Sequence, residues 1–420
     1  MLGKLNNLLK KYGAGGTAAL LTRHVLYTAE AFLGPGRGER ASTAALLSEI
    51  CAGEYERLIL RRGSFGWHTP LFQRAQQLAR AMGRRGCLVL YEAAPPRDRL
   101  RGAEKHGEGL WLVNCRSPRL RRQIEKAARE SGRPRYLMLA SPESRLRLSL
   151  PERYARDGWT ILYDYIDAIS PEIGGGARVP RRTLSLYHWA MGRREVLVTA
   201  SSLALRLDAK RKGKRALLIE NGVDCAHFFS PAPCPEDESF SDLLRAGRPI
   251  VCFYGALARW LDYEALRAIA ADGRFSLLLI GVKYDESYER ELAGRERVVF
   301  LGARPYETLP GYASRCDVLL VPFRRGEVSD AASPVKLFEY MALGKPIVAG
   351  DSAECRRFCS VLIAKDAQDY VLRIEQALAL RHDADYRETE REEALSADWL
   401  RRAEKLQNAL REQETEKEGT

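Results

Sequence analysis

The chain is predicted to be an α/β protein of two doubly wound, Rossmann-like domains facing a central cleft. Three observations predict it. Short apolar strands alternate with amphipathic helices from Arg57 onward. The alternation stops once, at a proline-rich acidic stretch, and then begins again. The 420 residues, 45% of them apolar, suffice for two cores of ordinary size. Strands that are apolar throughout imply parallel sheets covered on both faces. Ligands of such domains bind beyond the carboxyl ends of the strands.

Residues 1–55 read as an N-terminal helical extension, with Leu2, Leu5, Leu8 and Leu9 in a stripe beside Lys4, Lys10 and Lys11. The first domain is expected over 56–223. Its strands read at Leu58–Leu60, Cys87–Tyr91, Leu110–Val113, Tyr136–Ala140, Thr160–Tyr165, Val196–Thr199 and Ala216–Ile219. The helix after the first strand shows its apolar face through Leu71, Phe72, Ala75, Leu78, Ala79 and Met82. A linker is expected at 224–248, where Pro231, Pro233 and Pro235 accompany Glu236, Asp237 and Glu238. The second domain, 249–385, carries strands at Ile250–Tyr254, Phe275–Ile280, Val298–Leu301, Val318–Pro322 and Pro346–Ala349. Residues 386–420 read as one terminal helix, about Arg387 to Gln413, containing Trp399.

The richest segment is Ser333 to Gly350, SPVKLFEYMALGKPIVAG. Pro334 stands at the opening of a helix, where its missing N–H does no harm. Val335, Leu337, Phe338, Met341 and Ala342 form the apolar face, and Gly344 ends the helix before a strand. A helix start offers free N–H groups and partial positive charge, which suit a phosphate. Lys336 adds a cation there, and Glu339, one turn on, is placed to accept hydrogen bonds from ribose hydroxyls. The chemistry these residues suggest is nucleoside-diphosphate binding.

Composition narrows the partners. The net charge of +12 favours nucleotide phosphates, nucleic acid or an anionic membrane. The basic residues are scattered, however, and no nucleic-acid partner is expected. Nine cysteines form no CxxC pair, so reduced thiols in a cytoplasmic protein are expected. The opening MLGKLNNLLKKYG lacks the apolar run of a secretory signal. No segment reaches the roughly 18–20 apolar residues of a spanning helix. The nearest, Thr17 to Leu33, is broken by Arg23, His24 and Glu30. Asp383-Ala384-Asp385 reads as a turn, not a metal motif. No GxGxxG follows a strand, which disfavours a dinucleotide oxidoreductase.

The Ser333–Gly350 run resembles the donor-site helix of GT-B glycosyltransferases, in particular the GT4-like group that builds bacterial surface polysaccharides. Further segments resemble it in order: Gln73 to Ala79, Tyr163 to Asp167, Asn221 to Phe228, Gly255 to Leu257, Gly302 to Pro310 and Asp317 to Phe323. The resemblance implies GT-B architecture and a metal-independent, hexosyltransferase-like enzyme without a cofactor. Its partners would be a nucleotide sugar and a lipid-linked or glycan acceptor, with contact to an anionic membrane at its cytoplasmic face.

On the donor side the resemblance implies Ser333, Pro334, Val335, Lys336, Glu339, Gly255, Arg259, Arg304 and Tyr306. On the acceptor side it implies Asp164 and Arg74, with Trp67 and His68 at the tip of the first loop. Asp167 is the candidate catalytic acid: a base in an inverting reaction, an acceptor-orienting group in a retaining one. The pattern departs in two places. The first of two glutamates that flank seven residues falls at Ala331, beside Asp330. The arginine and lysine that follow the first donor-domain strand fall at Ala256 and Leu261, with Arg259 nearby. The resemblance favours retention, and Ala331 leaves inversion open. A non-catalytic partner subunit and a nucleotide-sugar epimerase are the alternatives.

Overall fold

The computed structural model describes residues 18, 19, 21, 22, 24–141, 143, 145–171 and 178–418. The leucine–lysine stripe expected over residues 1–11 lies outside these. Fourteen strands are present among the described residues. They are β1 (Arg57–Arg62), β2 (Cys87–Glu92), β3 (Ala103–Gly107), β4 (Leu110–Val113), β5 (Arg135–Ala140), β6 (Thr160–Tyr165), β7 (Leu197–Ala200) and β8 (Ala216–Leu218). The second series is β9 (Ile250–Leu257), β10 (Ser276–Lys283), β11 (Val298–Gly302), β12 (Val318–Val321), β13 (Ile347–Gly350) and β14 (Val361–Ala364).

The strands form two sheets, in the orders β3-β4-β2-β1-β5-β6-β7-β8 and β11-β10-β9-β12-β13-β14. Parallel pairing prevails: β1 with β2 and β5, β6 with β7, and β9 with β10 and β12. This is the expected α/β class, with two parallel-sheet, Rossmann-like folds. By compactness the chain divides into two units. One takes in the described residues up to Thr69, Met82–Leu139 and Arg145–Ile161. The other takes in Pro70–Ala81, Ala140–Ser144 and the chain from Leu162 onward.

The six-stranded sheet shows why its strands read as continuous apolar runs. Side chains alternate across a strand. Cys252, Tyr254, Leu278, Ile280, Leu319 and Val321 enter one core with Leu337, Phe338 and Met341 of the helix Val335–Ala342. Val251, Phe253, Leu277, Leu279, Val318 and Leu320 enter the other with Leu266, Ile269 and Ile374. Both faces are therefore covered, as a parallel sheet requires. Burying each of these large side chains contributes about 1.5–3 kcal/mol.

Two strands escaped the sequence. β3 is an antiparallel edge strand with exposed Glu104 and Lys105, so it lacks an apolar run. β14 is an edge strand of four residues. The terminal helix is also two helices, Ala384–Ser396 and Trp399–Glu418. At the break, Val223 bridges to Asp398; its N–H donates to Ala397 O at 3.1 Å, and Trp399 N–H donates to Val223 O at 3.0 Å. A Cβ on Gly222 would lie 2.1 Å from Ala397 O, so this approach needs glycine. The segment 224–248 holds two short helices, Cys225–Phe229 and Glu238–Arg245, capped by Asp224 and Asp237. Asp383 likewise caps the helix Ala384–Ser396 by accepting from Tyr386 N–H.

Gly255 and Gly281 face each other across β9 and β10. Both have positive φ, 145° and 141°. A Cβ on Gly281 would lie 1.8 Å from Gly255 O. Gly281→Ala is therefore expected to destabilise the protein by about 1–3 kcal/mol or more, through strain and overpacking. Urea unfolding measures it, and an unchanged midpoint would show that the two strands do not approach this closely.

Candidate functional site

The helix Val335–Ala342 starts without a side-chain cap, Pro334 occupying the cap position. Its opening N–H groups therefore have no hydroxyl or carboxylate partner from a capping side chain. Lys336 projects from this first turn. Its Nζ lies 5.4 Å from the ring centroid of Phe253 and 5.0 Å from that of Phe323, within cation–π range. Its Cε would lie 2.9 Å from a Cβ on Gly255. Gly255 has a positive φ of 145°, and a side chain there would displace the end of the lysine. Burial pushes the Lys336 ammonium down to about 8, with the Glu339 charge opposing.

Glu339, one turn on, is 3% exposed. The Tyr254 hydroxyl donates to its Oε2 at 2.7 Å. Burial pushes the Glu339 carboxyl up to about 7, against that hydrogen bond and the Lys336 charge. A desolvated cation and a desolvated acid thus stand one turn apart at an uncapped helix start. Ser333 Oγ donates to Glu354 Oε1 at 3.3 Å, and Ser333 and Pro334 are buried.

A second group converges on Arg74, which is buried. Its Nε and Nη2 reach the two Asp164 oxygens at 2.9 and 2.8 Å. Its Nη1 donates to Glu220 O at 3.1 Å and Asn221 Oδ1 at 3.2 Å. Thr199 Oγ1 donates to Asp164 Oδ1 at 2.6 Å. Asn221 Nδ2 in turn donates to Ser333 O, one residue before Pro334. Ser202 Oγ donates to Ala331 O at 2.7 Å. Arg357 joins Glu354 (2.8 Å) to Glu220 (2.7 Å), and Arg402 approaches Glu220 at 3.3 Å. The end of β6, the segment after β8 and the start of the helix Val335–Ala342 are one hydrogen-bonded frame.

Asp167 follows β6 and is half-buried. Ser141 Oγ accepts the Ile166 N–H at 3.0 Å and the Asp167 N–H at 3.3 Å, fixing this turn. Burial pushes the Asp167 carboxyl up to about 6; Arg74 opposes and Asp164 reinforces the shift. The carboxylate oxygens have no hydrogen-bond partner among the described residues.

The other expected residues make the following contacts. Arg304 pairs with Asp237 and lies 3.3 Å from the Tyr312 hydroxyl. Tyr306 is buried among Phe72, His227 and Phe228, with ring centroids at 5.0, 4.9 and 5.8 Å. The Arg259 side chain is exposed, and its backbone N–H donates to Asp285 Oδ2 at 2.9 Å. Asp330, beside Ala331, accepts the Ala353 N–H at 3.1 Å. In the other unit Trp67 is buried, whereas the His68 side chain is exposed. Sequence reasoning missed the Tyr254–Glu339 bond and the Arg357–Glu220–Arg402 group. Tyr254 reads as an ordinary strand residue, and the arginines carry no motif.

Comparison with known proteins bears on this geometry. Residues 248–379 match the family described as Glycosyl transferases group 1. That span is thus similar to group 1 glycosyl transferases. The matched span contains Gly255, Lys336 and Glu339. A curated relative is TuaH of Bacillus subtilis (strain 168), named as a teichuronic acid biosynthesis glycosyltransferase. It is 23% identical over 257 residues, covering 57% of this chain and 64% of TuaH. The match thus spans less than two thirds of that relative's length. Among solved structures, sucrose-phosphate synthase of Thermosynechococcus elongatus superposes with a TM-score of 0.61 at 18% identity, covering 86% of this chain and 99% of that one. A trehalose-6-phosphate structure from E. coli, bound with UDP-2-fluoro glucose, gives 0.60 at 13% identity, covering 84% and 98%. These structural likenesses establish the GT-B fold.

The frame yields a stability prediction. Arg74→Met leaves the Asp164 carboxylate buried and without its cation, which is expected to cost about 3–5 kcal/mol. Replacing both, as Arg74→Met with Asp164→Leu, should recover part of that loss. Urea unfolding checks both variants, and a single-variant effect under about 1 kcal/mol would remove the pair from the frame.

Proposed function

We propose that the chain transfers a sugar from a nucleoside-diphosphate sugar to a lipid-linked or polysaccharide acceptor in cell-surface glycan synthesis. One observation carries this reading: the half-buried Lys336, held against Gly255 at an uncapped helix start within the group 1 domain. The name of TuaH supports the acceptor class.

The diphosphate of the donor would accept hydrogen bonds from Lys336 and from the N–H groups of Val335 and Lys336. As the bond to the sugar breaks, negative charge grows on this leaving group. Positive groups already desolvated and fixed stabilise it most in that state. Glu339 takes a ribose hydroxyl, with Tyr254 holding its other oxygen. This chemistry uses protein cations and N–H groups, and we assign it no metal. Asp167 accepts a hydrogen bond from an acceptor hydroxyl, since its carboxylate has no partner among the described residues.

Lys336→Met tests the donor side by calorimetry with UDP, GDP and dTDP. A charge-assisted contact is worth about 1.5–3 kcal/mol, so affinity for the binding nucleotide should fall roughly 10- to 150-fold. Burial lowers the lysine, so its charge is present below about pH 8 and lost above it. Wild-type affinity should therefore decline through that range, and the variant's should not. Because the folded state disfavours the charged lysine, the nucleotide-free variant should also be more stable than wild type at neutral pH. Unchanged affinity would remove Lys336 from the site.

The chain is further proposed to dock on an anionic membrane, where lipid-linked acceptors reside. Among the described residues no helix is long and apolar enough to cross a membrane. Yet Leu21, Val25, Leu26, Phe32 and Leu33 are exposed on the N-terminal segment, near exposed Arg37 and Arg40. A basic residue near an anionic surface contributes about 1 kcal/mol, screened by salt. Liposome flotation should show binding to anionic vesicles that weakens at high salt and on deleting residues 1–33. Equal partitioning to neutral vesicles would refute the docking.

A further inference from the structure

The six-stranded sheet is ordered β11-β10-β9-β12-β13-β14, so the strand sequence reverses between β9 and β12. At such a point an open α/β sheet leaves room for a ligand beyond its carboxyl ends. The loops after β9 and β12 are tied together there. Leu261 bridges to Phe323 in antiparallel fashion. Trp260 O accepts the Arg324 N–H at 2.8 Å, and Pro322 O accepts the Asp262 N–H at 2.8 Å. Side chains alternate along such a pair, so Trp260 and Arg324 share one side and Leu261 and Phe323 the other. Leu261 is buried, Trp260 half-buried and Arg324 exposed. All of these residues belong to the one unit that includes the chain from Leu162 onward.

Tyr284, directly after β10, lies against the indole of Trp260 with ring centroids 5.1 Å apart. Its N–H donates to Leu257 O at 2.9 Å, which fixes this loop to the end of β9. Tyr284 is nonetheless 51% exposed. The two rings form an aromatic shelf at the carboxyl edge of the sheet. The carboxylates nearby in the chain are occupied. Asp285 Oδ2 accepts the Arg259 N–H at 2.9 Å, and its Oδ1 accepts the Ser287 N–H at 3.0 Å. Asp351 pairs with Arg325 at 3.3 Å and with Arg356. The Arg324 guanidinium has no hydrogen-bond or ion-pair partner among the described residues. A guanidinium offers five N–H donors and accepts nothing, so the group that completes it is an anion.

We propose that this shelf holds the sugar ring of the donor and that Arg324 selects a sugar bearing a carboxylate. The proposal rests on the glycosyltransferase reading above. A pyranose has an apolar C–H face, and aromatic side chains are the usual lining for such a face. The diphosphate has its own cation in Lys336, whose amine lies 5.0 Å from the ring centroid of Phe323, the residue before Arg324. The base and the ribose carry no anionic group. The second anion is therefore on the sugar. A carboxylate meets the guanidinium fork through two parallel hydrogen bonds, which a hydroxymethyl group cannot make. The donor class is a nucleoside-diphosphate hexuronate.

Calorimetry on the full chain tests this with donors matched except at C6. The pairs are UDP-glucuronate with UDP-glucose, dTDP-glucuronate with dTDP-glucose, and GDP-mannuronate with GDP-mannose. Free UDP, dTDP and GDP serve as references. The wild type should bind the uronate of one pair roughly 10- to 150-fold more tightly than its neutral partner, the range of one charge-assisted contact. Arg324→Met should abolish that preference, with affinity for the free diphosphate within about twofold of wild type. Arg324→Lys should restore part of it. Tyr284→Ser should weaken both sugars of the pair and leave the free diphosphate unchanged. Urea unfolding of each variant verifies that it folds. A wild type that binds one diphosphate without preferring its uronate overturns the proposal and leaves the glycosyltransferase reading standing. Equal weakening of uronate and free diphosphate in Arg324→Met overturns it too, by moving Arg324 to the phosphates. Full uronate affinity in Tyr284→Ser removes the shelf. A wild type that binds none of these compounds removes the glycosyltransferase reading, and this proposal with it.

Discussion

The buried guanidinium of Arg74 is the point on which the candidate site depends. Its fork meets Asp164 bidentately and still has Nη1 to donate to Glu220 O and Asn221. A lysine, with one point charge, has no such geometry. Asn221 passes the constraint on to Ser333 O, and the helix Val335–Ala342 begins two residues later. A buried ion pair adds little net stability, because desolvation opposes attraction. Its value here is register. The segments after β6 and β8 and before the helix Val335–Ala342 are tied together by these hydrogen bonds. Glu220, Arg357 and Glu354 repeat the device one layer out.

That frame sustains a local instability. Lys336 and Glu339 are both pushed toward their neutral forms by burial. Neither shift helps the empty protein fold at neutral pH. A group with its pKa raised by burial, such as Glu339, destabilises the folded state increasingly as pH climbs from its unfolded value to about 7. Lys336, lowered by burial, does so increasingly as pH falls from its unfolded value to about 8. Between about 7 and about 8 both costs are near their greatest. A bound diphosphate would relieve the lysine directly, so the strain of the empty site becomes selectivity for an anion.

The sequence disclosed most of the fold because apolar strands and amphipathic helices obey simple periods. It disclosed the helix Val335–Ala342 because Pro334 and Gly344 mark its start and stop in one short run. What it hid was long-range. Asp98 sits in a loop with no motif, and only folding sets it beside His68, 30 residues earlier. The break at Ala397–Asp398 has no proline or glycine to announce it; its cause is Val223, far back in the chain. The packing of Tyr306 against Phe72 and His227 was likewise hidden, since these rings are far apart in the sequence. β3 was hidden because an edge strand needs no apolar run.

Glycine completes the physical argument. Gly255 and Gly281 let two strand ends approach more closely than any side chain allows. The space left beside Gly255 is filled by the Lys336 stem, whose amine then rests between Phe253 and Phe323. The cation's place is thus set by backbone and aromatic rings, not by a countercharge that a ligand would have to displace. Electrostatic stabilisation of a leaving group is strongest when the stabilising charge is already positioned and needs no reorganisation. A lysine held by glycine and aromatic packing meets that requirement. One held by a strong salt bridge would have to exchange partners first.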